Sequence, residues 1–276
     1  MSYTKPQGCK KAKILKIRSL IMSVYNLVFS PTGGTGKVAD MFAGSFCGES
    51  TYIDLTKCDG DYAAYAFQEE DVCIVSVPSY GGRVPAIAVS RLRQIRGNGA
   101  RAVLIVVYGN RAYDDTFAEL QDTLTDAGFV CIAAVVAVAE HSIMRQFAAG
   151  RPDAQDEKEL GDYAAAIRDK IEAGTAFARL NLPGNRPYRE YGGVPMKPQA
   201  GKACNGCGIC AGECPVSAIS AGKPAQTDTG RCISCMRCVA VCPQKARSVN
   251  KALLAAGSMK LKKACSEYKR NELFLA

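Results

Sequence analysis

The 276-residue sequence lacks the features of a membrane-spanning or secreted protein. It has no apolar run that approaches the roughly 18 residues needed to span a membrane. The apolar part of its N-terminal segment is interrupted by Lys13, Lys16 and Arg18, and no small-residue cleavage site follows, so it does not resemble a signal peptide. We therefore expect a cytoplasmic protein without a membrane span.

The net charge of +9 is mostly a property of one end of the chain. Residues 1–21 contain six basic residues and no acidic one, which leaves +3 for the remainder. A charge confined to one segment is weak evidence for a nucleic-acid partner. We expect residues 1–21 to be a basic, disordered arm and expect no nucleic acid to bind. Met22 directly precedes the first strand pattern, so the arm could also reflect the choice of start site.

Cysteine is abundant and unevenly placed. Of 14 cysteines, eight lie between Cys204 and Cys242. A disulfide framework is typical of short secreted chains with a leader, and neither condition holds here. Clustered cysteines in a reducing compartment indicate metal instead.

The clustered cysteines form two copies of one motif. Residues 204–215 read CNGCGICAGECP and residues 232–243 read CISCMRCVAVCP, so each cysteine recurs 28 positions later. Both match C-x2-C-x2-C-x3-C-P, the bacterial ferredoxin run that binds [4Fe–4S] clusters. A structural zinc site needs one or two C-x2-C pairs, so the third cysteine of each run is surplus to zinc.

The motif also predicts which cysteines share a cluster. In two-cluster ferredoxins the fourth cysteine of each run ligates the other cluster. Cluster one is therefore assigned to Cys204, Cys207, Cys210 and Cys242. Cluster two is assigned to Cys232, Cys235, Cys238 and Cys214. A domain of about 45 residues has too small a core to fold on its own, so the clusters should supply much of its folding free energy.

The first part of the chain alternates strand and helix patterns. Strand patterns cover 24–29, 51–55, 72–77, 102–107 and 130–138; helical patterns cover 35–46, 84–96, 114–127 and 155–173. Strands alternating with helices predict a parallel sheet with helices on both faces. Five strands favour an α/β, flavodoxin-like sheet of order 2-1-3-4-5, followed by a small α+β, two-cluster ferredoxin-like domain.

Composition predicts the domain boundaries. A flavodoxin-like domain at 22–180 precedes a Pro- and Gly-rich linker or extended wrap at 181–200. The ferredoxin domain occupies 201–250, and a Lys-rich helical tail occupies 251–276. Ligands of such sheets bind beyond the carboxyl ends of the strands, so the loops there should carry the function.

A Gly-rich loop, FSPTGGTGK at 29–37, follows the first strand. A P-loop needs a glycine where the chain has Pro31 and a hydroxyl where it has Val38, so a triphosphate site is excluded. A dinucleotide site stays open, because Gly34, Gly36 and Ala39 fit GxGxxA and Asp54 ends the next strand. The hydroxyl groups and the helix that follows favour a monophosphate. The predicted phosphate contacts are Ser30, Thr32, Gly33, Gly34 and Thr35.

The loops after the third and fourth strands are rich in tyrosine and glycine. Tyrosines can stack on a planar ring, and glycines allow its close approach. With a monophosphate in the first loop, these features favour FMN. The predicted ring contacts are Pro78, Tyr80, Gly81, Gly82, Tyr108, Gly109, Asn110, Arg111 and Tyr113. Ordinary loop packing is the alternative for any one of the tyrosines.

The one histidine, His141, follows the fifth strand at the same edge of the sheet. A structural role is the more common one for a lone histidine. Its position also makes it a candidate catalytic residue for proton transfer beside the flavin.

These motifs together resemble the flavodoxin–ferredoxin fusion proteins of the EFR1 type, found in anaerobic bacteria and archaea. The resemblance covers about residues 22–250 and is carried by FSPTGGT (29–35), PSYGGRVP (78–85), VYGNRAYDD (107–115), EHS (140–142) and both cysteine runs. It implies FMN at the first three stretches and two [4Fe–4S] clusters at the cysteines. It does not imply a reaction.

The expected function is electron transfer between the two [4Fe–4S] clusters and FMN, with a redox protein or a small molecule as external partner. One alternative is an FMN-dependent oxidoreductase that reduces a quinone or nitro compound and is fed by its own ferredoxin domain. The other is a redox sensor without turnover. The sequence leaves the oligomeric state and the direction of electron flow open.

Overall fold

The computed structural model describes residues 22–174 and 176–276. The predicted basic arm at 1–21 lies outside the described residues. No helix in the described ranges is long and apolar enough to cross a membrane.

Five parallel strands form the centre of the first domain. They are β1 (Val24–Val28), β2 (Thr51–Asp54), β3 (Val72–Pro78), β4 (Arg101–Tyr108) and β5 (Val130–Val138). Their order is β2-β1-β3-β4-β5, as the sequence pattern predicts. The apolar residues of β3 and β4 are buried on both faces, which explains their uninterrupted apolar sequence.

Helices cover both faces of this sheet. They are α1 (Gly34–Phe46), α2 (Ala86–Leu92), α3 (Thr116–Asp126) and α4 (Ala154–Glu172). One apolar cluster joins α1 and α4 to one face, through residues such as Phe42 and Leu160. The other cluster joins α2 and α3 to the opposite face, through residues such as Leu92 and Phe117. The fold is therefore a three-layer α/β sandwich that brings the β1, β3, β4 and β5 loops to one edge.

The cysteine-rich domain is a structural repeat. Its short helices α5 (Ile209–Gly212) and α6 (Arg237–Ala240) lie between strands β6 (Gln199–Ala200) and β7 (Arg247–Ser248), which pair antiparallel. Helix α6 begins 28 residues after α5, the same interval that separates the two cysteine runs. Left-handed backbone conformations recur at the same interval, in the pairs Gly206 and Ser234, Gly208 and Met236, and Ser217 and Lys245. The duplication in sequence is therefore a duplication of backbone geometry.

The C-terminal residues are more than the predicted Lys-rich tail. Helix α7 (Lys251–Cys265) agrees with the predicted helix, but it leads to a strand, β8 (Glu272–Leu275). β8 pairs antiparallel with β5 and makes the sheet six-stranded. The short pattern ELFL lies at the end of a Lys-rich segment. It did not predict a strand that pairs with β5, which lies much earlier in the chain.

Candidate functional site

The eight cysteines surround two cavities, divided as the motif predicts. Cys204, Cys207, Cys210 and Cys242 line one, the cluster-one cavity. Cys214, Cys232, Cys235 and Cys238 line the other, the cluster-two cavity. Each has an empty volume, including solvent at its mouth, of ≈ 310 Å³. Cys214 and Cys242 thus each lie with the first three cysteines of the other run.

The thiols fit an iron–sulfur cluster better than a single ion. In the described ranges, no three ligand side chains converge on a point where one ion could sit. The cysteines instead face each other across open space. Burial raises the pKa of Cys235 to about 12 and that of Cys238 to about 11. These thiols therefore need the iron to become thiolates, and cluster binding releases their protons.

Backbone N–H groups already point at the sulfur atoms. The Ala218 N–H donates to Cys214 Sγ at 3.2 Å, and the Ala246 N–H donates to Cys242 Sγ at 3.3 Å. The two bonds are related by the 28-residue repeat. Such N–H···S bonds are one means by which a protein sets a cluster's potential.

A third, larger cavity lies beyond the carboxyl ends of the parallel strands, and we call it the strand-end cavity. Its empty volume, which includes solvent at its mouth, is ≈ 1060 Å³. Nine predicted site residues line it: Thr32, Gly34, Thr35, Pro78, Tyr80, Gly81, Tyr108, Gly109 and Arg111. His141 lines it too. The topology thus brings four separate loops together, as the switch-point rule requires.

The phosphate loop is held open by its own hydrogen bonds. Ser30 Oγ accepts from the Gly36 N–H at 2.8 Å, and Gly33 enters α1 with a left-handed φ of 91°. The N–H groups of Gly34 and Thr35 have no acceptor among the described residues. The first turn of α1 contains no acidic side chain. A helix N-terminus with free N–H groups suits a phosphate dianion.

Two residues that matched the dinucleotide pattern, Asp54 and Gly36, make structural hydrogen bonds instead. Asp54 does not line the strand-end cavity, and its Oδ1 accepts from the Thr56 N–H at 2.7 Å. The Gly36 N–H donates to Ser30 Oγ and is not available to a pyrophosphate. A Cβ at position 36 would lie 3.3 Å from Ser30 Oγ. These contacts favour a monophosphate over a pyrophosphate.

Five predicted contact residues do not line the strand-end cavity: Ser30, Gly33, Gly82, Asn110 and Tyr113. Ser30 and Gly33 shape the phosphate loop. Asn110 instead donates from Nδ2 to the carbonyl oxygens of Cys265 and Glu267, both at 2.8 Å, so it holds the C-terminal segment.

The other two residues also have structural contacts. Tyr113 packs edge-on between Tyr108 and Phe117. A Cβ on Gly82 would overlap the Asp114 side chain, so its place at the tight turn reflects packing. Tyrosines and glycines at this edge of the sheet therefore either line the cavity or pack the loops, and the sequence alone does not distinguish the two roles.

His141 is fixed in one tautomer. Its Nδ1 accepts N–H groups from Ile143 at 3.1 Å and Met144 at 3.2 Å, so this nitrogen carries no proton and Nε2 does. Burial lowers the pKa of His141, and the charge of Arg111 lowers it further. The ring is therefore better suited to donate a fixed hydrogen bond than to shuttle a proton.

We expect the protein to keep His141 neutral at every pH above its ordinary pKa of about 6.5. Because the folded pKa lies below the unfolded one, the associated stabilisation is present above pH 6.5 and is lost as the pH falls through the folded value. ¹⁵N NMR of histidine-labelled protein should show a protonated Nε2 and a titration midpoint below 6.5. A midpoint at or above 6.5 would contradict this assignment.

Residues from outside the first domain complete the strand-end cavity, and sequence reasoning missed them. Tyr191 and Val194 come from the linker, Ile233 and Ser234 from the second cysteine run, and Leu261 from α7. Ile233 also lines the cluster-two cavity. The strand-end cavity and the cluster-two cavity therefore share Ile233 as a lining residue.

The linker and the cysteine-rich domain are hydrogen-bonded to each other around cluster two. Lys197 Nζ donates to the Cys232 carbonyl at 2.5 Å, and Ser234 Oγ donates to the Val194 carbonyl at 3.2 Å. Residues 181–200 are thus an extended wrap rather than a free linker.

Two arginines join the cysteine-rich domain to the sheet domain. Buried Arg91 donates to the carbonyls of Leu55 at 2.5 Å and Pro215 at 2.6 Å, the latter next to Cys214. Arg237, next to Cys238, donates to the Pro31 carbonyl in the phosphate loop at 3.3 Å. Neighbours of two cluster-two ligands thus dock the two domains together.

Comparison with known proteins supports the cysteine-rich domain. Residues 203–247 match the family model of the 4Fe-4S dicluster domain. No curated protein matches the chain.

Three similar solved structures illustrate the likeness of the first domain. A Streptococcus pneumonia TIGR4 flavodoxin is 19% identical over 54% of this chain and 99% of its own, with a TM-score of 0.39. The two-electron reduced Megasphaera elsdenii flavodoxin is 18% identical over 52% and 98%, with a TM-score of 0.33. The apo form of an NADH:FMN oxidoreductase (EMOB) is 13% identical over 54% and 89%, with a TM-score of 0.38.

These TM-scores are low, and the fold assignment depends on the strand order of the protein itself. The chain therefore joins a flavodoxin-like sheet domain to a 4Fe-4S dicluster domain.

Proposed function

We propose that this protein transfers electrons between two [4Fe–4S] clusters and an FMN bound in the strand-end cavity. The observation that carries the proposal is the position of Ile233, which lines both the strand-end cavity and the cluster-two cavity. When bound, FMN would supply one- and two-electron chemistry, complementing clusters that pass single electrons.

The chain's residues fit FMN in two regions. Thr32, Thr35 and the free N–H groups at the start of α1 would hold the phosphate. Tyr80, Tyr108 and the backbone at Gly81 and Gly109 would face the ring, and the His141 Nε2–H is available as a donor there. Burial raises the pKa of Tyr80 well above its ordinary value, so its hydroxyl stays protonated.

The exposure of the clusters favours cluster one as the point where electrons from an external carrier enter. The side chain of Cys207 at cluster one is exposed, whereas Cys214, Cys235 and Cys238 at cluster two are buried. Electrons would then enter at cluster one and pass through cluster two to FMN. Reduction of a quinone or nitro compound at the flavin, or a sensing role, would use the same route.

The test begins with anaerobic purification and analysis of iron, sulfide and flavin. We expect about eight iron and eight sulfide per chain, as two [4Fe–4S] clusters require, and one FMN. Stopped-flow mixing with a one-electron donor should then show both clusters and flavin reduced within one chain. Fewer than about seven irons after reconstitution, or bound NAD in place of FMN, would overturn the proposal.

Replacing Gly109 by alanine should weaken FMN binding. A Cβ at this position would lie 2.8 Å from Cβ, Cγ and Cδ2 of His141, so the imidazole must move into the cavity. Overpacking of this kind costs about 1–3 kcal/mol, which corresponds to a rise of about 5- to 150-fold in the Kd of FMN if the cost falls on the bound state. Fluorescence titration of flavin-free protein with FMN measures it.

Gly48→Ala is the matched control, because nothing lies within 4 Å of a Cβ there. It should bind FMN as the unmodified chain does. Equal affinities for both variants would mean that FMN does not occupy the side of the cavity next to His141.

A further inference from the structure

Cluster one faces solvent through a small apolar surface. Ile209, which lines the cluster-one cavity, is 45% exposed, and Cys207 beside it is exposed as well. Cluster two is lined by less exposed cysteines: Cys214, Cys235 and Cys238 are buried, and Cys232 is half-buried. Cys207 and Ile209 are thus the exposed residues at cluster one that an external electron carrier can contact.

Three exposed lysines lie around this surface. The β6–β7 pairing places Ala200 opposite Arg247, and the Gly201 N–H donates to the Ala246 carbonyl at 2.8 Å. The next residues outward, Lys202 and Lys245, are therefore neighbours. Lys223 is next to Pro224, which lines the cluster-one cavity. We call Lys202, Lys223, Lys245, Cys207 and Ile209 the cluster-one rim.

The charge of this rim is not neutralised locally. Within the described part of the chain, no salt bridge includes any of the three lysines. Of the two acidic residues in 201–250, Glu213 pairs with Arg237. The other, Asp228, accepts the N–H groups of Gly230 and Arg231. The rim thus presents an apolar centre bordered by three lysines that take part in none of the salt bridges of the described residues.

We propose that the cluster-one rim is the docking surface for a small, acidic, one-electron carrier protein. This inference rests on the proposed function, because it needs cluster one as the electron acceptor. Ile209 would exclude water at the centre of the contact, and the lysines would steer an acidic surface onto it. The reduced carrier loses one electron, cluster one gains it, and no bond or proton changes place.

A second group of lysines provides a matched control. Lys260, Lys262 and Lys263 are exposed near the end of α7, where Leu261 lines the strand-end cavity and not the cluster-one cavity. Changing three lysines to glutamate at either place alters the net charge equally. A general effect of charge will therefore appear in both triple variants, and an effect of docking in one.

The experiment uses the cofactor-loaded full chain and, as probe, a [2Fe–2S] ferredoxin selected for a net negative charge at pH 7. Binding is measured by calorimetry, and reduction of the clusters by the reduced probe is followed by stopped flow at several salt concentrations. We expect association to slow as salt rises, and the variant K202E/K223E/K245E to react at least tenfold more slowly. K260E/K262E/K263E should stay within about twofold of the unmodified chain.

Two checks separate docking from folding and from the proposed function. Iron content and reduction of FMN by a neutral photochemical reductant should be unchanged in the rim variant. If the unmodified chain does not bind the probe, if association ignores salt, or if both triple variants lose the same rate, the docking surface is refuted. If internal reduction of FMN fails in the unmodified chain, the proposed function fails, and the calorimetric comparison still decides the docking.

Discussion

A chain with Cys235 replaced by serine is expected to keep cluster one and to stop passing electrons to FMN. Cys235 is buried and lines the cluster-two cavity, directly after Ile233 and Ser234, which line the strand-end cavity. Loss of an outer partner of a metal site already costs about 10–100-fold, and loss of a ligand should cost more. Iron should fall from about eight to about four per chain.

Stopped-flow reduction of this variant should show one reduced cluster and flavin reduction slowed by more than about a hundredfold. Cys58→Ser is the control, because Cys58 is an exposed cysteine outside both cluster cavities. It should retain all the iron and the flavin reduction rate. If Cys235→Ser reduced FMN at the unmodified rate, electrons would have to reach the flavin by a route that avoids cluster two.

The largest expected loss of stability comes from one buried ion pair. Arg151 and Asp156 form a bidentate pair whose side chains are 6% and 1% exposed. Asp156 also accepts from Asn271 Nδ2 at 2.9 Å, and Arg151 donates to the Lys269 carbonyl at 2.6 Å. The pair therefore connects the start of α4 to the segment that leads into β8.

Arg151→Met should destabilise the protein by about 3–5 kcal/mol, since it leaves a buried carboxylate without its partner. The loss should concentrate at β8, whose amides should exchange hydrogen faster than those of β3 and β4. Urea unfolding and hydrogen exchange measure both effects. Lys158→Met removes an exposed, solvent-screened pair with Asp162 and should leave the free energy of unfolding nearly unchanged. Equal costs for the two variants would contradict the structural role of the buried pair.

The pair of Arg151 and Asp156 also makes the stability of the protein depend on pH in the acid range. Burial raises the pKa of Asp156, but hydrogen bonds from Arg151, the Asp153 N–H and Asn271 outweigh it and hold the pKa below the ordinary 3.8. The associated stability is complete above pH 3.8 and is lost as the pH falls through the lower folded value.

The sequence predicted most of the fold because its signals were local. Strands such as Val72–Pro78 are apolar without interruption, and the cysteine runs repeat at a fixed interval, so each pattern could be interpreted within its own segment. β8 could not be recognised in this way. Its four residues form a strand because β5 offers a free edge, and a single short segment contains no record of that partner.

The candidate site was predictable to the same extent. The loops after β1, β3 and β4 meet where parallel topology requires, and Thr35, Tyr80 and Gly109 lie there. Asn110 does not line the cavity, because its side-chain amide donates to two carbonyl oxygens of the C-terminal segment. Tyr191, Ile233 and Leu261 were missed because they reach the cavity only through the docking of distant segments, which no local pattern encodes.

The pairing of β8 with β5 means that the dicluster domain is inserted in the sheet domain rather than appended to it. During synthesis β5 leaves the ribosome first, and its outer edge stays open until the wrap, both cysteine runs and α7 have followed. An open edge strand is a template for pairing with other chains. Completion of the sheet therefore requires that the whole dicluster domain has been synthesised, and until then the edge of β5 is unprotected.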